Sequence, residues 1–309
     1  MKRLAFIGEC MIELTDTGGS RGGATQRGFG GDSLNSAVYA ARCLAGEDMA
    51  VAYVTILGDD PFSDEMLAAW RAEGVGTELV MRRAGALPGL YAIRTDSSGE
   101  RSFHYWRSES PARALFADAG AAALAAALVD FDLLYVSGIT LAIMAEAGRA
   151  RLFETLALAR SRGGRVAFDS NYRPLLWPDI DSARRQITRG AAAATLALSS
   201  FDDERALFGD PSPEVSAQRL HALGAGEVVI KNGPGDCLVS LAGDAEKGQW
   251  RIAPPTVAHP VDTTAAGDSF NAAYIAARML GAAPGEAAKR GAELAARVIQ
   301  QQGAIVDAP

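Results

Sequence analysis

Cysteine is scarce: Cys10, Cys43 and Cys237 are the only three in 309 residues, far apart and without a CxxC pair. So sparse and odd a set excludes a disulfide framework and fits reduced, buried thiols in a cytosolic protein. Histidine is equally rare. His104, His221 and His259 cannot complete a zinc site by spacing, and each is expected to be structural. Excess positive charge is missing too; a net charge of −7 argues against a general nucleic-acid binder. The longest apolar run, Ala119 to Val129, is too short to cross a bilayer, so no membrane partner is expected. Lys2-Arg3-Leu4-Ala5-Phe6-Ile7 opens like a signal peptide, but Glu9 and Glu13 interrupt it, so it reads as a first core strand in a cytoplasmic protein. Familiar catalytic motifs are absent as well. There is no GxxxxGK(S/T) loop and no HRD or DFG set. Gly28, Gly30 and Gly31 do not complete GxGxxG, because position 33 is Ser. A Rossmann dehydrogenase is thereby disfavoured.

What is present is globular: 49% hydrophobic and 22% charged residues, enough to bury a large core in one α/β domain or two smaller ones. Short apolar runs at Leu4–Ile7, Val51–Ile56, Leu133–Val136, Val166–Phe168, Leu196–Leu198 and Val228–Ile230 read as buried strands. Amphipathic stretches at Asp64–Glu73, Arg149–Arg162 and Asp203–Phe208 lie between them. This alternation predicts a mostly parallel sheet with helices on both faces, with ligands at the carboxyl ends of the strands. Two regions break the pattern. Met11 to Phe29 is polar and Gly-rich, and Leu87 to Arg107 reads as a hairpin around Ser97-Ser98-Gly99-Glu100. Together they predict a small antiparallel flap over the ligand site.

The most informative segment is Asp262-Thr263-Thr264-Ala265-Ala266-Gly267-Asp268, which leads into an apolar helical stretch. Small side chains at 265–267 let an anion approach free N–H groups at a helix start. Asp268 beside them can take a proton from a hydroxyl while a phosphoryl group arrives opposite. The simpler alternative is a helix capped by Asp262 or Thr264. Gly30-Gly31-Asp32-Ser33-Leu34-Asn35 offers close backbone approach and two groups for sugar hydroxyls, or a simple turn plus cap. Val229-Ile230-Lys231-Asn232-Gly233-Pro234-Gly235 offers a cation and a glycine turn for a nucleotide, or an edge hairpin with a solvated Lys. Asp169-Ser170-Asn171-Tyr172-Arg173 places polar groups just past a buried strand.

In this order, Gly-Gly-Asp-x-x-Asn, Asp-x-Asn-x-Arg, Lys-x-Gly and Asp-Thr-x-Ala-Ala-Gly-Asp, the motifs resemble the PfkB, or ribokinase-like, carbohydrate kinases across essentially the whole chain. The resemblance implies a ribokinase-like α/β fold over residues 1–309. Its central sheet would be mostly parallel, with helices on both faces and a small β lid from about 11–30 and 87–107. It implies Asp268 as catalytic base and the Ala265, Ala266, Gly267 and Asp268 backbone as anion hole. Gly30, Gly31, Asp32 and Asn35 would hold the sugar; Lys231, Asn232, Gly233 and Gly235 would border ATP, with Asn171 near its phosphates. Asp262 and Thr264 are candidates for a monovalent-cation site of the kind K⁺ occupies. Two departures stand out. Ala265 replaces a usual glycine, and the Asn-x-x-Glu motif associated with Mg²⁺ appears as Phe201-Asp202-Asp203-Glu204, leaving Glu204 alone to act through water.

Within the family, Ile7-Gly8-Glu9-Cys10-Met11-Ile12-Glu13-Leu14, Gly28-Phe29-Gly30-Gly31-Asp32, Leu87-Pro88-Gly89-Leu90-Tyr91 and Gly99-Glu100-Arg101-Ser102-Phe103-His104-Tyr105-Trp106-Arg107 are similar to the branch acting on 2-keto-3-deoxygluconate. Such an acid carries a carboxylate, for which Arg is the best geometric match. Arg107 and Arg173 are the candidates, with Tyr91 and Tyr105 beside them; the alternatives are surface ion pairs and flap packing. Tyr105 and Arg107 share one face at strand spacing. The expected reaction is phosphorylation of the 6-hydroxyl by ATP with Mg²⁺, in sugar-acid catabolism. The alternatives are another sugar kinase of the family, a fructokinase or ribokinase, and a non-catalytic sugar or nucleotide sensor. A homo-oligomer paired through the flap is also expected.

Overall fold

β1 (Lys2–Ile7) shows how the chain builds its layers: Leu4 and Phe6 enter one core, Ala5 and Ile7 the other, and none of the four is exposed. A strand buried on both faces needs an unbroken apolar run, which is what the sequence supplies. The computed structural model describes residues 1–16, 25–95, 101–242 and 247–307. The Ser97–Glu100 turn and the middle of the Met11–Phe29 segment therefore lie outside the described residues.

β2 (Met11–Asp16) and β3 (Thr25–Gly30) follow, then α1 (Asp32–Cys43) and β4 (Met49–Val54). Next come β5 (Ile56–Gly58), α2 (Pro61–Ala72), β6 (Val75–Gly76) and β7 (Met81–Arg83), before β8 (Leu90–Thr95) and β9 (Arg101–Trp106). Strand and helix then alternate through α3 (Ala121–Leu128), β10 (Leu133–Ser137), α4 (Gly138–Ile143), α5 (Glu146–Ser161), β11 (Arg165–Asp169), α6 (Ile180–Ala193) and β12 (Leu196–Ser200). The chain continues through α7 (Phe201–Phe208), α8 (Pro213–Ala222), β13 (Glu227–Lys231), β14 (Cys237–Ala242) and β15 (Lys247–Ile252). α9 (Ala266–Met279) and α10 (Pro284–Val298) close the order.

The main sheet has nine strands in the order β15-β14-β13-β12-β11-β10-β1-β4-β6. All its pairs are parallel except β13–β14 and β14–β15. α1, α2, α9 and α10 cover one face, and α3, α5, α6 and α8 the other. The expected Val51–Ile56 strand is divided: β4 ends at Val54, and β5 pairs with β7 in a two-stranded sheet of its own. No helix among the described residues is long and apolar enough to cross a membrane.

The four remaining strands form a separate sheet, β3-β2-β8-β9. It is not wholly antiparallel as expected, because β2 and β8 run parallel. Each of two excursions leaves the main layer by one strand and returns by the next, so the outgoing strands align side by side and the returning ones flank them. Of the thiols, Cys10 and Cys237 are buried but Cys43 is exposed, since it falls at the outer end of α1.

Candidate active site

The polar residues converge where β1, β10, β11 and β13 end and α1 and α9 begin, under the four-stranded sheet. At the head of α9, Ala265 adopts φ 60° and ψ 13° and is itself the N-cap. An L-residue pays about 1–2 kcal/mol for this left-handed conformation, so alanine in place of the usual glycine costs backbone strain there. Neither Asp262 nor Thr264 caps the helix. Asp262 Oδ1 accepts from the Thr264 amide at 3.0 Å and its hydroxyl at 2.7 Å, while Oδ2 accepts from the Gly303 amide at 2.8 Å. These bonds brace the turn against the C-terminal segment. The Ala266 amide donates to Thr263 O at 3.3 Å, whereas the Gly267 and Asp268 amides have no backbone acceptor among the described residues. Two donors thus face the cleft from a helix N-terminus.

Asp268 lies in the first turn of α9, where Asn35 Nδ2 donates to its Oδ2 at 2.9 Å. Burial pushes its carboxyl up to about 7, and the nearby charge of Asp32 adds to the shift; the Asn35 hydrogen bond opposes it. Asp32, the first residue of α1, accepts from Asn171 Nδ2 at 2.8 Å and from the Ser137 hydroxyl. Its carboxyl is raised as well, chiefly by burial. Asn171, assigned to ATP phosphates by resemblance, therefore touches a residue assigned to the sugar. Its φ of 32° is held by an amide hydrogen bond to Asp169 Oδ1 at 3.1 Å.

The glycine pair serves packing as much as ligand approach. A Cβ at Gly31 would lie 2.2 Å from Glu9 O, and one at Gly30 2.2 Å from Tyr91 Oη. Tyr91 donates its hydroxyl to Glu13, and its ring lies 5.8 Å from that of Tyr105. Tyr105 is half-exposed, with Arg107 Cζ 5.9 Å from its ring centroid. Arg107 is not a surface ion pair: it is 11% exposed and pairs with Glu9, itself 1% exposed. Arg107 Nε and Glu9 Oε1 are buried without partners. Arg173 is half-exposed at the mouth, 3.7 Å from Asp203. Both arginines act electrostatically on the Tyr105 hydroxyl.

Lys231 is no solvated residue of an edge hairpin, since β14 and β15 continue the sheet beyond β13. Its Nζ donates to Asp169 Oδ2 at 2.8 Å and Asn271 Oδ1 at 2.9 Å. Asn232, Gly233 and Gly235 form the β13–β14 connection; Gly233 has φ 53°, and the Gly235 amide donates to Asn232 O at 2.8 Å. Glu204 is buried and ion-paired with Arg219, with Oε1 left unpartnered. Asp203, the neighbouring carboxylate, instead feels Arg173, Asp169 and Lys231. Among the described residues no three His, Cys, Asp or Glu side chains converge as a metal cage. Such a donor set suits Mg²⁺ carried on phosphate oxygens and water, with at most one or two protein carboxylates.

Sequence reasoning missed Glu9, Glu13, Ser137, Asp203 and Asn271. Asn271 carried a local signal, since it stands three residues after Asp268 on the same helical face. The assembled groups are a carboxylate with raised proton affinity, two unspent amides and a buried cation. That set can take a proton from a hydroxyl while neutralising an incoming anion.

Comparison with known proteins gives a match to the pfkB family carbohydrate kinase model over residues 1–309. The chain is 45% identical over 309 residues to the 2-dehydro-3-deoxygluconokinase of Dickeya dadantii (strain 3937), covering 99% of this chain and 97% of that one. Among solved structures, a PfkB protein from Polaromonas sp. JS666 is 30% identical with a TM-score of 0.83, covering 97% of this chain and 96% of that one. A ribokinase II candidate from E. coli, in complex with ATP and Mg²⁺, is 20% identical with a TM-score of 0.83, covering 98% and 94%. That last likeness is one of fold.

Proposed function

Because this chain belongs to the pfkB family of carbohydrate kinases, we propose that it transfers the γ-phosphoryl group of ATP to the 6-hydroxyl of 2-keto-3-deoxygluconate, also called 2-dehydro-3-deoxygluconate. The observation that carries the choice of acceptor is Arg107, 11% exposed and with its Cζ 5.9 Å from the Tyr105 ring centroid. A buried arginine beside the acceptor favours an acid over a neutral sugar. The full-length likeness to a 2-dehydro-3-deoxygluconokinase supports the same reading.

Asp268 accepts the 6-hydroxyl proton as the oxygen attacks the γ-phosphorus, a new O–P bond forms and the bond to the β-phosphate oxygen breaks, releasing ADP. The Gly267 and Asp268 amides receive the charge on the transferred oxygens. Asn35 and Asp32 orient the acceptor, with Gly30 and Gly31 letting the lid close on α1. Tyr91, Tyr105, Arg107 and Arg173 hold the sugar acid. Asn171, Asn232, Gly233 and Gly235 border ATP. Mg²⁺ bound with the nucleotide would supply charge neutralisation on its phosphates; Glu204 Oε1 would reach it only through water. A K⁺ site at Asp262 and Thr264 belongs to the same reading and is tested by activity with K⁺ against Na⁺. So does a homo-oligomer built through the lid, whose Trp106 is exposed, tested by solution mass.

The test of the reaction is product analysis. Incubation with ATP, Mg²⁺ and the sugar acid should yield ADP and the 6-phosphate in equal amounts. Phosphorylation of fructose or ribose alone would give a neutral-sugar kinase, and no turnover at all would give a sensor.

A further inference from the structure

A lysine at the end of a central strand must either reach water or find acceptors inside the protein. Lys231 does the second: it is 13% exposed and lies between Asp169 and Asn271. The arrangement is a closed triangle, because Asn271 Nδ2 also donates to Asp169 Oδ2, at 2.6 Å, and to the Tyr135 hydroxyl at 3.2 Å. The amide's oxygen meets the cation and its nitrogen meets the carboxylate, which fixes its orientation. Burying a charged pair is costly and favourable only with such added hydrogen bonds.

An ammonium has three N–H groups, and Lys231 spends two of them within the protein. The third has a definite neighbourhood. A Cβ added at Gly267 would lie 3.6 Å from Nζ, so the ammonium stands against the very turn whose amides are unspent. A phosphoryl oxygen held by those amides is within reach of the remaining N–H, and taking it leaves the Asp169 pair intact.

We propose that Lys231 is a catalytic residue that donates this third N–H to the transferred phosphoryl group, and that Asp169 and Asn271 are positioning residues that hold it there. The inference rests on the phosphoryl-transfer reading of the site and adds a cation to its anion hole. It differs from a role bordering the nucleotide, which would act on ATP binding and not on the transition state. The triangle has a second effect. It pairs Lys231 with Asp169 and leaves the Asp268 carboxylate hydrogen-bonded to Asn35, while the Lys231 charge still favours the deprotonated base.

The test compares wild type, Lys231→Met, Asp169→Asn and Asn271→Ala by steady-state kinetics, by thermal melting, and by affinity for ADP, Mg²⁺ and fluoroaluminate with the acceptor present. Fluoroaluminate stands in for the phosphoryl group in transfer. Lys231→Met should lose about 10²–10³ in kcat, the cost of one oxyanion donor, with a parallel loss of fluoroaluminate affinity and little change in either KM. Asp169→Asn and Asn271→Ala should show smaller losses of the same kind. A raised KM for ATP with unchanged kcat in Lys231→Met overturns the proposal, as does a fall in melting temperature with kinetics intact. Should Lys231→Met not fold, Asn271→Ala carries the same test with the same two outcomes. Failure of the functional reading is separate: it appears in wild type as absence of phosphoryl transfer to any sugar.

Discussion

Asn35 on α1 donates to Asp268 on α9 at 2.9 Å, tying the two helices together at the floor of the cleft. The bond opposes burial and the Asp32 charge, which together push the Asp268 carboxyl up to about 7. In the proposed role of Asp268 as base the carboxyl must be deprotonated to act, so kcat/KM should rise with pH through about 7 and level above it. Asn35→Ala removes a hydrogen bond that favours the carboxylate, and its acid limb should move to higher pH. Asp268→Asn should lose about 10²–10⁴ in kcat at every pH, with both substrates still binding. The pH profile of kcat/KM for the three proteins checks all of this, and an unmoved limb in Asn35→Ala would remove Asn35 from the account.

Gly30→Ala tests the joint between lid and α1. The new Cβ would sit 2.2 Å from Tyr91 Oη, so Tyr91 must leave Glu13 and shift toward the acceptor pocket. Overpacking of this kind costs about 1–3 kcal/mol. The expected result is a raised KM for the sugar with KM for ATP unchanged. Equal effects on both would show that the glycine serves the fold alone.

Arg107 and Glu9 make a separable prediction. Arg107→Ala strands a buried carboxylate, and removal of one partner from such a pair costs about 3–5 kcal/mol. Melting temperature and sugar-acid affinity should both fall. Adding Glu9→Gln to Arg107→Ala should restore much of the stability and none of the acid recognition. If affinity returns together with stability, Arg107 is a structural residue and the acid is held by Arg173.

The main sheet was legible in the sequence because strands buried on both faces read as unbroken apolar runs, as in Leu4–Ile7 and Leu133–Val136. The helix start at 265–268 was legible because small residues and a carboxylate occur together there. Other relationships have no local trace. Ile12 pairs with Leu90, so the parallel run within the lid depends on two distant excursions. Arg107 finds Glu9 across 98 positions, and Asn271 finds Asp169 across 102. Nothing in an alanine announces a left-handed conformation, yet Ala265 adopts one. Lys231 next to a glycine turn resembles a solvated hairpin lysine until Asp169 on β11 and Asn271 on α9 enclose it.

The most direct measurement is kcat/KM for 2-keto-3-deoxygluconate against fructose and ribose, at fixed saturating ATP and Mg²⁺. Arg107 and Arg173 as the proposed holders of the carboxylate predict a preference for the acid that collapses when both are replaced by Ala. Faster turnover of either neutral sugar by the wild-type protein would contradict the account.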